Sequence, residues 1–127
     1  MPKSSRSREA TRRWKYEEGD NMVLDSKDSI SHVLGSSKDK KNWKKYWEKH
    51  TRRKFPKKCQ TYGCGSAATV GAHVYVKGCT SNKYCFILPT CQGCNKDPET
   101  EYGGYEWADV KIGACVVAVR MIDNMFG

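Results

Sequence analysis

The chain has 127 residues, of which 38% are hydrophobic and 29% are charged, a composition that suits one small domain with extensions. It contains no run approaching the roughly 18 consecutive apolar residues of a membrane span, and residues 1–20 lack the apolar segment of a secretory signal. These features argue against a membrane partner. They predict an intracellular protein, cytoplasmic or nuclear, whose thiols stay reduced.

The net charge of +9 is concentrated in the first part of the chain. Residues 1–58 contain 18 Lys and Arg against 8 Asp and Glu, a balance of +10, whereas residues 59–127 contain 5 against 6, a balance of −1. This division predicts a basic region followed by a near-neutral folded module. Clustered positive charge in turn predicts nucleic acid, DNA or RNA, as the partner.

The basic region divides into an extension and a helix. Residues 1–37 are expected to be largely disordered, since residues 1–20 have too few apolar side chains to offset the entropy of ordering. Within that extension, the apolar patch at 21–35 is interpreted as either a strand or a helical turn that docks on the domain.

The segment 38–58 is interpreted as a basic helix that carries tryptophans. Four side chains in "KDKKNWKKYWEKHTRRKF" (38–55) fall at i, i+3, i+4 and i+7 and share one helical face: Trp43, Tyr46, Trp47 and His50. Asp39 is the expected N-cap or first-turn acid, and Pro56 marks the expected end.

The aromatic side of this helix is expected to pack on the domain, which leaves the basic side for solvent or for phosphate. Trp43 or Trp47 could instead stack on bases if exposed, which would favour single strands. The expected phosphate-binding side chains are Lys40, Lys41, Lys44, Lys45, Lys49, Arg52, Arg53, Lys57 and Lys58.

From Cys59 onward, short apolar runs alternate with turn residues, and residues 59–127 are expected to form one zinc-binding domain. "TVGAHVYV" (69–76) and "YCFILP" (84–89) predict two strands joined by a turn rich in Gly, Ser and Asn. "CQGCNKDPE" (91–99) predicts a knuckle that leads into a helix, and residues 110–122 predict a buried strand.

The seven cysteines favour a metal site over disulfides, a stapled extracellular module being the alternative. Zinc takes four thiolate or imidazole ligands in a tetrahedron, which two close cysteine pairs can supply. The expected ligands are Cys59, Cys64, Cys91 and Cys94, with Cys79 and Cys85 as an alternative pair. Cys115 lies in an apolar run and is expected to be a core residue.

The order of these residues resembles the HNH, or ββα-metal, family of zinc treble clefs. The resemblance covers about residues 59–97: the first cysteine pair, then "AHV", a strand that ends in "ILPTC", and "CQGCN". It implies an α+β fold, a small zinc-stabilised treble clef with a knuckle, a β-hairpin and a short helix after Cys94. The basic helix would precede this unit and a C-terminal strand would follow it.

The same resemblance implies a catalytic set, from which this sequence departs. His73 would be the general base of DNA hydrolysis, Asn95 would orient that base or its loop, and Mg²⁺ or Mn²⁺ would be the catalytic ion. Active members usually carry a metal ligand at the position of Ala72 and a further His or Asn after the second knuckle. Here the only candidate ligands after Cys94 are carboxylates, namely Asp97, Glu99 and Glu101.

A lone imidazole offers a base without the metal that phosphodiester hydrolysis needs. We therefore expect a zinc-binding, non-catalytic nucleic-acid-binding module in which His73 is structural. The first alternative is an HNH-type endonuclease that uses His73 as its base. The second is a protein-interaction adaptor whose helix at 38–55 docks into an acidic groove.

Overall fold

A computed structural model describes residues 17–25, 28–33, 42–79, 84–95 and 107–120. These residues form one antiparallel sheet with the strand order β1-β6-β4-β3-β2-β5 and one helix, α1. The elements are β1 (Asn21–Val23), β2 (Ser29–His32), α1 (Trp43–Thr51), β3 (Val70–Val76), β4 (Tyr84–Thr90), β5 (Ala108–Asp109) and β6 (Cys115–Arg120). In this part of the chain, no helix is long and apolar enough to cross a membrane.

The expected α+β treble clef with a preceding basic helix is wrong. The hairpin lies inside a six-stranded sheet, because β6 pairs with β4 and with β1, and β2 pairs with β3 and with β5. The helix packs on this sheet as part of the same domain and does not stand before it. The helix expected after Cys94 lies beyond Asn95, outside the described residues.

Three of the expected strands are present. The runs at 69–76 and 84–89 form β3 and β4, which pair antiparallel with His73 opposite Ile87. The run at 110–122 contains β6 but is interrupted at its start by a turn, in which Ala114 N–H donates to Lys111 O at 3.1 Å. Gly113 adopts a left-handed φ of 86° in that turn, which a glycine accommodates without strain.

The apolar patch at 21–35 forms strands, β1 and β2, and no helical turn among its described residues. Both strands lie in the range expected to be a disordered extension and are hydrogen-bonded into the sheet. Residues 1–16, 26–27 and 34–37 of that extension lie outside the described residues.

Each face of the sheet carries its own apolar cluster. Successive side chains of a strand point to opposite faces. Val74 of β3 and Phe86 of β4 therefore belong to the cluster on one face, and Ile87 belongs to the cluster on the other. The second cluster also contains Trp43 and Trp47 of α1, which cover that face.

The helix is bound to β6 by hydrogen bonds as well as by apolar contacts. Trp47 Nε1–H donates to Cys115 O at 2.9 Å, and the hydroxyl of Tyr46 donates to Ala118 O at 2.9 Å. The expected packing of the aromatic side of the helix on the domain is therefore confirmed.

The ends of α1 differ from the expected ones. Its N-cap is Asn42, whose Oδ1 accepts from Lys45 N–H at 3.1 Å, in place of the expected Asp39. The helix stops at Thr51, before Pro56, because Arg52 turns the chain with a left-handed φ of 59° while its N–H still donates to Glu48 O.

Gly71 allows α1 to approach β3 closely, and Gly71→Ala should lower the free energy of unfolding by about 1–3 kcal/mol. A Cβ at this position would lie 2.8 Å from Ile87 Cγ2 and 3.2 Å from the backbone carbonyl carbon of Trp43. The matched control is Gly65→Ala, because nothing lies within 4 Å of a Cβ there. Chemical denaturation followed by tryptophan fluorescence measures both variants, and equal losses would contradict the close approach.

Candidate metal centre

Four cysteines form a cluster that could hold a metal ion. The Sγ atoms of Cys59, Cys64, Cys91 and Cys94 all lie within 4.8 Å of one another, and those of Cys64 and Cys91 are 3.9 Å apart. A zinc–sulfur bond of about 2.3 Å gives a tetrahedron with sulfur–sulfur edges of about 3.8 Å, whereas a disulfide bond is about 2.05 Å. The donor set and its spacing therefore fit a tetrahedral thiolate site. The group is the same four that the spacing in the sequence predicts.

The first cysteine pair lies on a tight turn before β3. Cys59 is fully buried, and its N–H donates to Ser66 O at 2.9 Å. Cys64 N–H donates to Thr61 O at 3.1 Å, and Gly63 adopts a left-handed φ of 78°. The x4 spacing of this pair is thus accommodated by a turn that directs both sulfurs to one point.

The second pair begins where β4 ends. Cys91 directly follows Thr90, the last residue of β4. The chain then turns, and Asn95 N–H lies 3.1 Å from Cys91 O and 3.2 Å from Gln92 O. The expected knuckle is therefore present at the end of a buried strand.

Backbone pairing around Gln60 brings the two cysteine pairs together. Gln60 N–H donates to Pro89 O at 3.0 Å, near the end of β4, and Gln60 O accepts from Lys111 N–H at 2.9 Å. Thr61 is paired with Val110 in an isolated antiparallel bridge. The segment that carries Cys59 is thus held between the end of β4 and the connection from β5 to β6.

The thiols of the cluster differ in acidity. Hydrogen bonds from the backbone and the hydroxyl of Ser66 lower the pKa of Cys64 from 9.0 to about 7. Burial raises the pKa of Cys94 from 9.0 to about 12. Thiolates this close repel one another, so a bound cation is what would allow all four to ionise together.

A lysine that is distant in the sequence supports the turn that carries the first cysteine pair. Lys111 Nζ donates to Cys64 O at 2.8 Å and brings a positive charge beside the cluster. Sequence reasoning missed this residue, because it lies 47 positions from Cys64 and no local pattern connects the two.

The remaining cysteines belong to the apolar clusters. Cys79 lies in the cluster on the face opposite α1, and Cys85 lies in the cluster beneath the helix. Neither belongs to the group of four that could bind a metal. Cys115 is buried among core residues, as expected from its apolar run.

His73 and Asn95 lie in different surroundings. His73 is 2% exposed on the face beneath α1, where its ring meets that of Trp43 edge-on at a centroid distance of 4.8 Å. Ala72 points to the opposite face, in the other apolar cluster. Asn95 closes the second knuckle. The carboxylates that could complete a catalytic metal site lie outside the described residues, namely Asp97, Glu99 and Glu101.

The basic side chains of α1 and of the segment that follows it are exposed. Of the expected phosphate-binding set, Lys40 and Lys41 lie outside the described residues, and the other members are all exposed: Lys44, Lys45, Lys49, Arg52, Arg53, Lys57 and Lys58. Lys54, which the sequence analysis did not name, is exposed among them. A plain count of charge along 42–58 would have included it.

The two tryptophans of the helix cannot serve as a base-stacking surface. Trp43 is 6% exposed and Trp47 is 3% exposed, and both lie between the helix and the sheet. Their burial confirms the packing that the amphipathic spacing predicts, and it leaves neither ring available to stack on a base.

Comparison of the chain with protein-family models, with curated proteins and with solved structures finds no match in any of the three.

Proposed function

We propose that this chain is a zinc-stabilised, non-catalytic nucleic-acid-binding module that contacts phosphates through α1 and the segment 52–58. The observation that carries the proposal is the basic surface described above. One side of this segment is buried against the sheet, and most of the exposed side chains on the other side are lysines and arginines. The affinity would be electrostatic and largely independent of sequence, since phosphates are common to every nucleotide.

The charge of this surface is nearly unopposed within its own segment. Residues 42–58 contain eight Lys and Arg and a single acid, Glu48. Glu48 Oε2 accepts from Phe55 N–H at 3.0 Å, which assigns this carboxylate to the chain reversal after the helix. Arg52 also keeps a cationic side chain in a left-handed conformation that favours glycine, at a cost of about 1 kcal/mol. A phosphate contact by its guanidinium would explain why an arginine, and not a glycine, occupies this position.

Zinc is the metal that best suits the cysteine cluster. Thiolates are soft ligands that select zinc over magnesium or manganese, and four protein ligands leave no open position for a substrate or a water. The Mg²⁺ or Mn²⁺ of a nuclease would need oxygen ligands elsewhere. Zinc here would hold the turn at 59–64 to the end of β4, a structural role.

Loss of one cysteine ligand should remove the metal and most of the tertiary structure, because zinc binding and folding are coupled in such sites. We expect about one zinc per chain in the wild type by elemental analysis and much less in Cys91→Ser. Cys79→Ala is the matched control, since it removes a buried thiol outside the cluster and should keep its zinc. A wild-type protein purified under reducing conditions without zinc, or a Cys91→Ser variant that keeps it, would contradict the assignment.

Neutralising two lysines of the basic surface should weaken nucleic-acid binding and reduce its dependence on salt. For Lys44→Gln with Lys45→Gln, the magnitude of the slope of log K against log salt should fall by about 1.4 to 1.8, if each lysine contacts one phosphate. The control is Lys77→Gln with Arg120→Gln, which removes the same charge from exposed sites outside 42–58. Fluorescence anisotropy with labelled oligonucleotides at several salt concentrations measures both.

Equal effects of the two double variants would show that only net charge matters. An absence of wild-type binding to DNA and RNA at physiological salt would overturn the proposal and favour the protein-adaptor alternative. Tryptophan variants are unsuitable for this test, because Trp43 and Trp47 are core residues whose loss would destabilise the fold.

The burial of His73 supports a non-catalytic protein, and wild type should therefore leave supercoiled plasmid intact with Mg²⁺ or Mn²⁺. A general base must come within hydrogen-bond reach of its water, whereas this imidazole lies beneath α1. His73→Ala should lower the free energy of unfolding by about 1–3 kcal/mol and leave nucleic-acid affinity nearly unchanged. Manganese-dependent nicking by wild type, lost in folded His73→Ala, would instead support the endonuclease alternative.

A further inference from the structure

Tyr62 is the most exposed aromatic side chain in the described part of the chain. It is 70% exposed, whereas Trp107 is 42% exposed and the tryptophans of α1 are buried. It lies between Cys59 and Cys64, on the first turn of the metal centre. The ring belongs to neither apolar cluster of the domain and is therefore available to a partner.

The backbone beneath Tyr62 is held at several points. Tyr62 N–H donates to Asp109 O at 3.0 Å, and the next residue but one, Cys64, donates its N–H to Thr61 O at 3.1 Å. On either side, Cys59 and Cys64 belong to the cysteine cluster. Binding to this ring would therefore cost little ordering of the chain beneath it.

The residues before Tyr62 form an extended segment with a polar outer side. Thr61 pairs with Val110, which is 2% exposed, and Cys59 is fully buried, so these two positions face inward. Alternation along an extended chain then places Lys58, Gln60 and Tyr62 together on the outer side. Gln60 Nε2 donates to Lys58 O at 2.8 Å, which ties this amide to the backbone of Lys58.

This outer side is continuous with the basic surface. Lys57 and Lys58 are exposed and connect the segment after α1 to the turn that carries Tyr62. Asp109, which is exposed and lies opposite Tyr62 in the pairing, would repel phosphates approaching from that side. These charges would confine the backbone of a bound polyanion to the lysine side of the ring.

We infer that Tyr62 is a base-stacking platform that makes this protein selective for single-stranded nucleic acid, with Lys58 contacting an adjacent phosphate. The inference rests on the proposed nucleic-acid binding and adds the class of strand. A base can lie flat on an exposed ring only where it is not already stacked inside a duplex. A protein partner would require a contiguous apolar patch, whereas the neighbours of Tyr62 on this side are polar, namely Lys58, Gln60 and Asp109.

The test compares affinities for a single-stranded oligonucleotide of about 15 nucleotides and for the corresponding duplex, measured by anisotropy with the full zinc-loaded chain. Tyr62→Ala should weaken single-strand binding by about 5- to 150-fold, the range that loss of one stacked base implies. Its duplex affinity should change less than about twofold, and its salt slope should stay near that of wild type. Tyr62→Phe keeps the ring and should bind single strands almost as wild type does.

Two further variants keep the result interpretable. Tyr62→Leu is apolar but has no ring, so it should behave as Tyr62→Ala does even if alanine perturbs the turn. Ile112→Ala removes another exposed apolar side chain, one that is 78% exposed on the turn before β6, and should leave both affinities unchanged. Zinc content and circular dichroism establish that each variant is folded.

The outcomes separate this inference from the proposal on which it rests. If wild type binds neither strand form, the proposed function fails. If wild type binds both forms with salt-dependent affinity and folded Tyr62→Ala and Tyr62→Leu bind single strands as wild type does, only the stacking inference fails. If these variants lose single-strand and duplex affinity equally, Tyr62 supports the surface generally and the selectivity is refuted.

Discussion

The hydrogen bonds made by the backbone of Gln60 are the constraint on which the metal centre depends. They attach one residue to the end of β4 on one side and to the connection between β5 and β6 on the other. The two cysteine pairs are separated by 26 residues in the sequence. They become neighbours because β3 and β4, which lie between them, form an antiparallel hairpin, so that β4 ends beside the start of β3. The metal would then stabilise an arrangement that main-chain pairing already defines.

The helix links the stability of the fold to the surface through which it would act. Its aromatic side chains are committed to the sheet, both by apolar contact and by hydrogen bonds to carbonyls of β6. With one side fixed in this way, the lysines on the other side project from a helix whose position on the sheet is defined. A substitution that detaches the helix from β6 would therefore displace these lysines without touching any of them.

Local patterns in the sequence were sufficient for β3, β4, the packing of α1 and the four clustered cysteines. Each depends on residues close in the sequence: an apolar run between turn residues, an i, i+3, i+4 aromatic spacing, or two close thiol pairs. The fold class was wrong because it depends on pairings between distant segments, above all β1 with β6 and β2 with β3. The resemblance to a treble clef was confined to about residues 59–97 and contained no information about these partners.

The central place of β6 also has a consequence for how the chain folds as it is made. β6 lies between β1 and β4, and its carbonyls bind side chains of α1 that lie 68 and 72 residues earlier in the sequence. On the ribosome, the hairpin of β3 and β4 can form early, but β1 lacks its partner strand, and α1 lacks the carbonyls that it binds, until residue 120 has been made. Until then only β3 and β4 are available to cover the tryptophans of α1, and Trp47 lacks the carbonyl that accepts from its indole. During that interval, Lys44 and Lys45, which lie between the two tryptophans, would keep the segment soluble. The same positive charges would then act during folding as well as at the finished surface.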